Sequence, residues 1–302
     1  MGKIVVDSTS LETYEKGSGQ PLVLIHGSAS DYRTWQHQMD SLSKDFRVIS
    51  YSRRYHYPNV TISESADYSM VEHVADLQRV LNTLDAKPAH LVGHSYGALM
   101  GLELASQQPA YVKSLILAEP PAINLFVKNS NAPTPGELLR LLLRRPRTGL
   151  AVIKLGATGL EPAAQAAKKG DMEKVMQLFG RAALGKESFQ AMPIERREQV
   201  LANLTKAEFL GSGYIPLNTE KLRTIKAPTL LLTGEKSPRV FHHLANCLKD
   251  LIPKLERVEI PAASHILHED NPDAFNSELL RFLKSKSFKV KVLALDEPMC
   301  KA

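Results

Sequence analysis

The sequence predicts an α/β fold: a mostly parallel sheet with helices on both faces, interrupted once by a helical insertion. Three observations carry this. Short apolar runs alternate with segments of helical period from the N-terminus to about residue 119, the pattern of a sheet built from strand–helix units. About a hundred residues then follow Pro120-Pro121 with several helical segments and no strand signal. The alternation resumes after that and continues to about residue 283.

Taken in order, Lys3–Asp7 and Leu11–Lys16 read as an opening hairpin around Ser8-Thr9-Ser10. Pro21-Leu22-Val23-Leu24-Ile25 is a continuous apolar run, the mark of a strand covered on both faces, and it ends at His26-Gly27-Ser28. A helix follows over Tyr32–Leu42, with Asp31 placed to cap it. Phe46–Tyr51 is the next strand. Val71, Val74, Leu77, Val80, Leu81 and Leu84 keep a helical period across Met70–Leu84. Ala89–Val92 is a strand, Ala98–Ala105 a helix and Ser114–Ala118 a strand. In the insertion, Gly136–Arg145, Met172–Ala183 and Ile194–Leu204 predict helices. Strand Pro228–Thr233, helix Val240–Leu251, strand Arg257–Ile260 and helix Pro272–Leu283 complete the alternation. The expected division is a core of residues 1–120 and 223–302 with a helical insertion over 121–222. Phe288–Leu293 alternates like a strand but has no evident partner.

Composition narrows the classes of function. The chain has 302 residues and ordinary apolar and charged fractions, 43% and 23%. No apolar run approaches the ~20 residues of a membrane span. Met1–Val6 lacks the apolar stretch and small-residue cleavage site of a secretory leader, and Val6 breaks the myristoylation pattern. Two cysteines, Cys247 and Cys300, read as free thiols in a reducing compartment, so a cytoplasmic protein is expected. The net charge is +6, but no nucleic-acid recognition motif accompanies it, and the cations gather between Arg140 and Arg181 as a solvated helical face. His242 and His243 are adjacent and diverge on a helix, a poor metal pair; neither a metal nor a cofactor is expected. The expected partner is a small-molecule substrate, with no nucleic acid or membrane, and the protein is expected as a monomer or homodimer.

Gly93-His94-Ser95-Tyr96-Gly97 carries the chemistry. It follows a strand and opens a helix, the context in which G-x-S-x-G makes a sharp turn with an exposed nucleophile. Small residues two before and two after the serine let strand and helix approach closely. The turn presents the Ser95 hydroxyl and aims the N–H of Tyr96 at the group attacked. His94, inside the turn, reads as a packed core residue.

This layout resembles the α/β-hydrolase superfamily from about Gly19 to Leu283, in its serine-nucleophile branch with a lid after strand six. Ile25-His26-Gly27-Ser28 after a strand, the Gly93–Gly97 turn, and Pro261-Ala262-Ala263-Ser264-His265 after the last strand carry the resemblance. It implies an eight-stranded sheet, with the insertion at 121–222 as lid. It also implies His265 as the base that activates Ser95, in preference to His268. For the oxyanion hole it implies the backbone N–H groups of Tyr96 and Ser28, with Ala29 second to Ser28.

The acid departs from the commonest pattern. Relatives place an aspartate three residues after the glycine that ends strand seven. Here the turn reads Gly234-Glu235-Lys236-Ser237-Pro238, with Ser237 at the acid's position. Three readings stand. Glu235 substitutes from two positions earlier; the triad lacks an acid; or the acid has moved to the end of strand six, as in some branches of the superfamily. Glu119, directly after Ser114–Ala118, occupies that last position and is the preferred acid.

The expectation is a serine hydrolase acting on a small or medium ester through an acyl-enzyme, with Ser95, His265 and Glu119 as its triad. Lactone, C–C bond and cofactor-free perhydrolase chemistry use the same residues. The altered strand-seven turn leaves open a small-molecule receptor on the hydrolase scaffold. The lid and the loop Ser52–Asn59 are expected to wall the pocket. Arg53 and Arg54 in that loop could bind a carboxylate, although structural pairing is the preferred role. Trp35 is read as simply buried.

Overall fold

The computed structural model describes residues 2–7, 9–63, 66, 68–129, 133–211 and 214–295. Its strands are Gly2–Val6 (β1), Thr9–Lys16 (β2), Pro21–Ile25 (β3), Arg47–Tyr51 (β4), Ala89–His94 (β5), Val112–Ala118 (β6), Thr229–Gly234 (β7) and Leu255–Ile260 (β8). They form one eight-stranded sheet in the order β1-β2-β4-β3-β5-β6-β7-β8. β2 runs antiparallel to β1 and β4, and the other pairs are parallel.

Gln36–Leu42 (α1), Met70–Thr83 (α2) and Tyr96–Gln107 (α3) precede the last parallel strands of the first half. A 3-10 turn over Tyr32–Trp35 leads into α1, and the Asp31 carboxylate caps it by accepting from the Arg33 N–H. Between β6 and β7 lie Pro135–Arg144 (α4), Pro146–Leu155 (α5), Glu161–Lys168 (α6), Met172–Leu184 (α7), Lys186–Ala191 (α8), Ile194–Asn203 (α9), Lys206–Leu210 (α10) and Thr219–Arg223 (α11). Arg239–Lys249 (α12), Leu267–Asp270 (α13) and Pro272–Leu295 (α14) close the chain's described part.

The period of two along each strand sorts apolar side chains into two cores. Val23, Ile25, Leu91, Leu115, Leu117 and Leu231 meet α2, α3 and α12 on one face. Leu22, Leu24, Val92, Ile116, Leu230 and Leu232 meet α1 and α14 on the other. β3, β5 and β7 are therefore buried almost throughout, which is why β3 reads as an unbroken apolar run. Trp35 is fully buried in the second core, its ring 4.3 Å from that of His268. The helices between β6 and β7 have a core of their own, from Ala163, Ala167, Val175, Leu184 and Phe189, and Ala29 of the β3 loop joins it.

One expectation is corrected: 288–293 is not a strand. Its backbone continues α14, where hydrogen bonds close within the segment and no sheet edge is needed. Cys247 is buried and free among the described residues, while Cys300 lies outside them.

The turn between β5 and α3 is built by close backbone approach. A Cβ on Gly93 would lie 2.4 Å from the Gly97 carbonyl oxygen, and one on Gly97 would lie 2.2 Å from that of Ile25. Neither neighbour can move without moving β3 or α3. Gly97→Ala should therefore cost about 1–3 kcal/mol or abolish soluble expression. Gly136→Ala, whose Cβ would meet nothing within 4 Å, serves as control. Urea unfolding of both variants checks this, and equal midpoints would refute it.

Candidate active site

β5 ends at His94 and α3 begins at Tyr96, so Ser95 alone makes the turn. Its backbone sits at φ 50°, ψ −115°, a sparsely populated region for a side chain with a Cβ. The surrounding backbone holds it there: the Ser95 N–H donates to the Ala118 carbonyl at 2.8 Å, and the Ser95 carbonyl accepts from Ala98 and Leu99.

Glu119 follows β6 at φ 47°, its N–H donating to Leu232 on β7. Its carboxylate is buried and serves two masters. Oε1 accepts from the Gly234 N–H at 2.7 Å, and Oε2 accepts from His265 Nδ1 at 2.7 Å. His265 Nε2 in turn lies 3.0 Å from Ser95 Oγ. With Nδ1–H donating to the carboxylate, Nε2 presents a lone pair to the serine hydroxyl.

The loop carrying His265 is fixed on several sides. The Ser264 N–H and hydroxyl both donate to Asp270 Oδ2, at 2.7 and 2.6 Å. His94 Nε2 donates to the His265 carbonyl at 2.8 Å, so His94 supports the loop rather than facing Ser95's hydroxyl. Phe241 of α12 stacks on the His265 ring with centroids 4.1 Å apart. Glu235 is exposed and turned away, its Oε2 accepting from the Ala262 N–H at 2.7 Å. The carboxylate brought to His265 is Glu119. Ser237 has a different part: its buried hydroxyl favours the charged form of Glu119 from nearby, without a hydrogen-bond partner of its own among the described residues.

Burial dominates the electrostatics of this pair. It pushes Glu119 upward, opposed by Ser237, Gly234, His242 and Arg257, and it pushes His265 downward, opposed by Asp270. A neutral imidazole, ready to take a proton, is the form that burial favours.

Ser28 and Ser95 both line a largely apolar cavity of about 80 Å³, walled by Ile123, Leu155, Phe179, Phe209 and Phe241 among others. A second chamber of about 50 Å³ touches the same Ser28, Ser95 and His265 from the other side, against Met176, Phe189, Met192 and Val200. It adjoins a wide outer groove through Leu184, Met192, Arg196 and Ile266. Arg196 stands at that junction, paired with Glu269 through Nε at 2.7 Å. Tyr96 is the first residue of α3, where the helix dipole favours negative charge.

The loop 52–59 corrects another expectation, for none of its residues lines either chamber. Arg53 turns inward instead, Nη1 donating to Tyr68 Oη at 2.8 Å and Nη2 to the Gly27 carbonyl at 2.9 Å. Arg54 grips Asp76 through two nitrogens. Both arginines are structural. Sequence reasoning missed Phe241, and it missed Glu208 of α10, which lines the larger chamber. Each is a single residue of common type on a helix, placed by packing between distant segments, and no local pattern marks it. Among the described residues, no group of three or more His, Cys, Asp or Glu side chains is arranged to hold a metal ion. No helix there is long and apolar enough to cross a membrane.

Comparison with known proteins agrees with this architecture. The family model for the alpha/beta hydrolase fold matches residues 20–272. RutD of Azorhizobium caulinodans, provisionally named a carbamate hydrolase, is 26% identical over 266 residues, spanning 88% of this chain and 92% of its own. The (E)-2-((N-methylformamido)methylene)succinate hydrolase of Acinetobacter baylyi is 22% identical over 275 residues, 90% of this chain and 93% of its own. Among solved structures, a thermophilic esterase from Thermogutta terrifontis superposes with a TM-score of 0.71 at 21% identity, covering 94% of this chain and 99% of that one.

The buried imidazoles set a pH dependence of stability. Burial holds His26, His56, His73, His90, His94 and His268 below the usual 6.5. In the unfolded chain they protonate near that value, so below it the unfolded state binds more protons. Stability present above pH 6.5 is then lost as the pH falls, by up to about 1.4 kcal/mol per pH unit for each group. These groups outnumber the carboxyls Glu119 and Glu208, whose upward shifts act in the opposite sense. The melting temperature should fall between pH 7.5 and 5.5 in calorimetry; an unchanged or rising value would contradict this.

Proposed function

The chain belongs to the alpha/beta hydrolase fold family, and we propose that it is a serine hydrolase cleaving a small carboxylic ester through an acyl-enzyme. The observation that carries the proposal is the hydrogen-bonded run from Ser95 Oγ to His265 Nε2 at 3.0 Å and from His265 Nδ1 to Glu119 at 2.7 Å. In this reading His265 Nε2 takes the Ser95 proton as Oγ attacks the ester carbonyl. Glu119 keeps the imidazole in the tautomer that leaves Nε2 open and stabilises the imidazolium that forms. The N–H groups of Tyr96 and Ser28 receive the oxyanion, the first aided by the dipole of α3. Collapse of the tetrahedral adduct breaks the ester C–O bond, and His265 returns the proton to the departing alkoxide. Water, activated by the same imidazole, then releases the acid and restores Ser95.

The altered strand-seven turn was the argument for a receptor without catalysis. With Glu119 against His265, that argument loses its basis. The helices of 121–222 act as the lid, supplying Leu155, Leu160, Phe179 and Phe209 to the larger chamber. That chamber suits the acyl group, which stays covalently held. The smaller one adjoins the outer groove and suits the alcohol, which leaves first.

Two tests follow. A fluorophosphonate should label the folded protein stoichiometrically at Ser95, and p-nitrophenyl butyrate should be turned over. Glu119→Gln should lower kcat roughly 10³–10⁴-fold, as expected for loss of the orienting carboxylate. Glu235→Gln should leave it within about twofold, since exposed sites away from the reacting groups change little. Absence of labelling, or the reverse ranking of the two variants, would sink the assignment. The chamber beside Ser95 is small, about 80 Å³, and walled by Leu155, Leu160, Phe179 and Phe209, so a long acyl chain would overpack it. Across p-nitrophenyl alkanoates, kcat/KM should therefore peak near C4–C6 and fall by about tenfold or more at C12, the scale of one overpacked group. A monotonic rise with chain length would refute that size limit.

A further inference from the structure

Within the larger chamber one group is out of keeping with its surroundings. The lining is chiefly leucine, isoleucine, phenylalanine and alanine, yet the Glu208 side chain stands in it beside Ser28 and Tyr214. Glu208 Oε1 accepts from Tyr68 Oη at 3.4 Å, a long contact. Oε2 is shielded from solvent and has no hydrogen-bond partner among the described residues. A buried acceptor left unmade is costly, and a fold keeps one where something else completes it.

The charge on that carboxylate has a source of support. Arg53 is buried, and among the described residues no carboxylate oxygen lies within ion-pair distance of it. A buried guanidinium needs a compensating anion nearby. Tyr68 links the two, accepting from Arg53 Nη1 at 2.8 Å and meeting Glu208 with the same oxygen. Burial raises the pKa of Glu208, while the charge on Arg53 pulls it back. With Arg53 as its counter-charge, the site is near neutral, so a cation would bring uncompensated charge into an apolar chamber.

We propose that Glu208 is the recognition group of the acyl chamber, its open Oε2 accepting a hydrogen bond from a neutral hydroxyl or N–H on the acyl part of the substrate. The preferred substrates are then small hydroxy- or amido-substituted acyl esters, not plain alkanoates. This rests on the serine-hydrolase reading and narrows its substrate class.

The test compares p-nitrophenyl butyrate with its 2-hydroxy and 3-hydroxy derivatives, for the wild type, Glu208→Leu and Glu208→Gln. The wild type should favour at least one hydroxy ester by about tenfold in kcat/KM, the scale of a hydrogen bond to a charged group. Glu208→Leu should reduce that ratio to one or below, and Glu208→Gln, which keeps an acceptor oxygen of the same reach, should retain part of it. A ratio near one in the wild type for both derivatives, or a preference that survives in Glu208→Leu, would overturn the inference while leaving the serine-hydrolase reading in place. A protein that neither hydrolyses any of the esters nor reacts with fluorophosphonate at Ser95 would overturn both this and the hydrolase reading. Should Glu208→Leu fail to fold, the comparison of Glu208→Gln with wild type decides: an unchanged ratio refutes the proposal.

Discussion

A single buried carboxylate ties the working end of this molecule together. Glu119 leaves the end of β6 at a positive φ and places one oxygen on the Gly234 N–H of β7 and the other on His265. Burying a carboxylate is expensive unless its lone pairs are used, and here both oxygens are. The same contacts that stabilise the charge also join two strand ends to the loop after β8. Any displacement of β6 against β7 would strand the carboxylate and release the imidazole together. The site is therefore as rigid as the sheet edge on which it stands.

The second constraint is the approach of α3 to β3. Gly93 and Gly97 leave room for backbone on backbone, and the strained conformation of Ser95 is the cost of that fit. It is offset by the packing of α3 against β3, β5 and β6 in one apolar core. The loop after β3 lies against the turn as a result, which puts Ser28 beside Ser95 at the mouth of both chambers. Behind it, Arg53 braces the Gly27 carbonyl, so the loop Ser52–Asn59 supports the site from within instead of walling it.

The helices between β6 and β7 contribute apolar surface more than chemistry. Alanine-rich α6 packs on α7 in a small separate core, and α4 and α5 share a cluster with Val240 and Phe241 of α12. Through Phe241, which stacks on His265, that cluster is continuous with the hydrogen-bonded run of Ser95, His265 and Glu119. Glu208 is the exception, a polar group that these helices bring into an apolar chamber.

What the sequence determined by itself was whatever depends on neighbours along the chain. Strand and helix alternation, the Gly93–Gly97 turn and the cap at Asp31 arise from local periodicity and backbone sterics, and each is visible in a few consecutive residues. The order of Ser95, Glu119 and His265 along the chain was legible because each stands at the C-terminal end of a strand in a parallel sheet. The strand-like alternation of Phe288–Leu293 misled for the complementary reason: a period of two makes a strand only where an edge is there to pair with it. Tertiary structure alone decided which carboxylate meets His265, because Glu119 and Glu235 both flank the end of β7 and differ in the direction in which the backbone turns them. It alone placed Phe241 on the imidazole, buried Arg53 behind the β3 loop and left one oxygen of Glu208 open in the chamber. Those are contacts between segments far apart in the chain, and their energy depends on burial and distance, which no local pattern encodes.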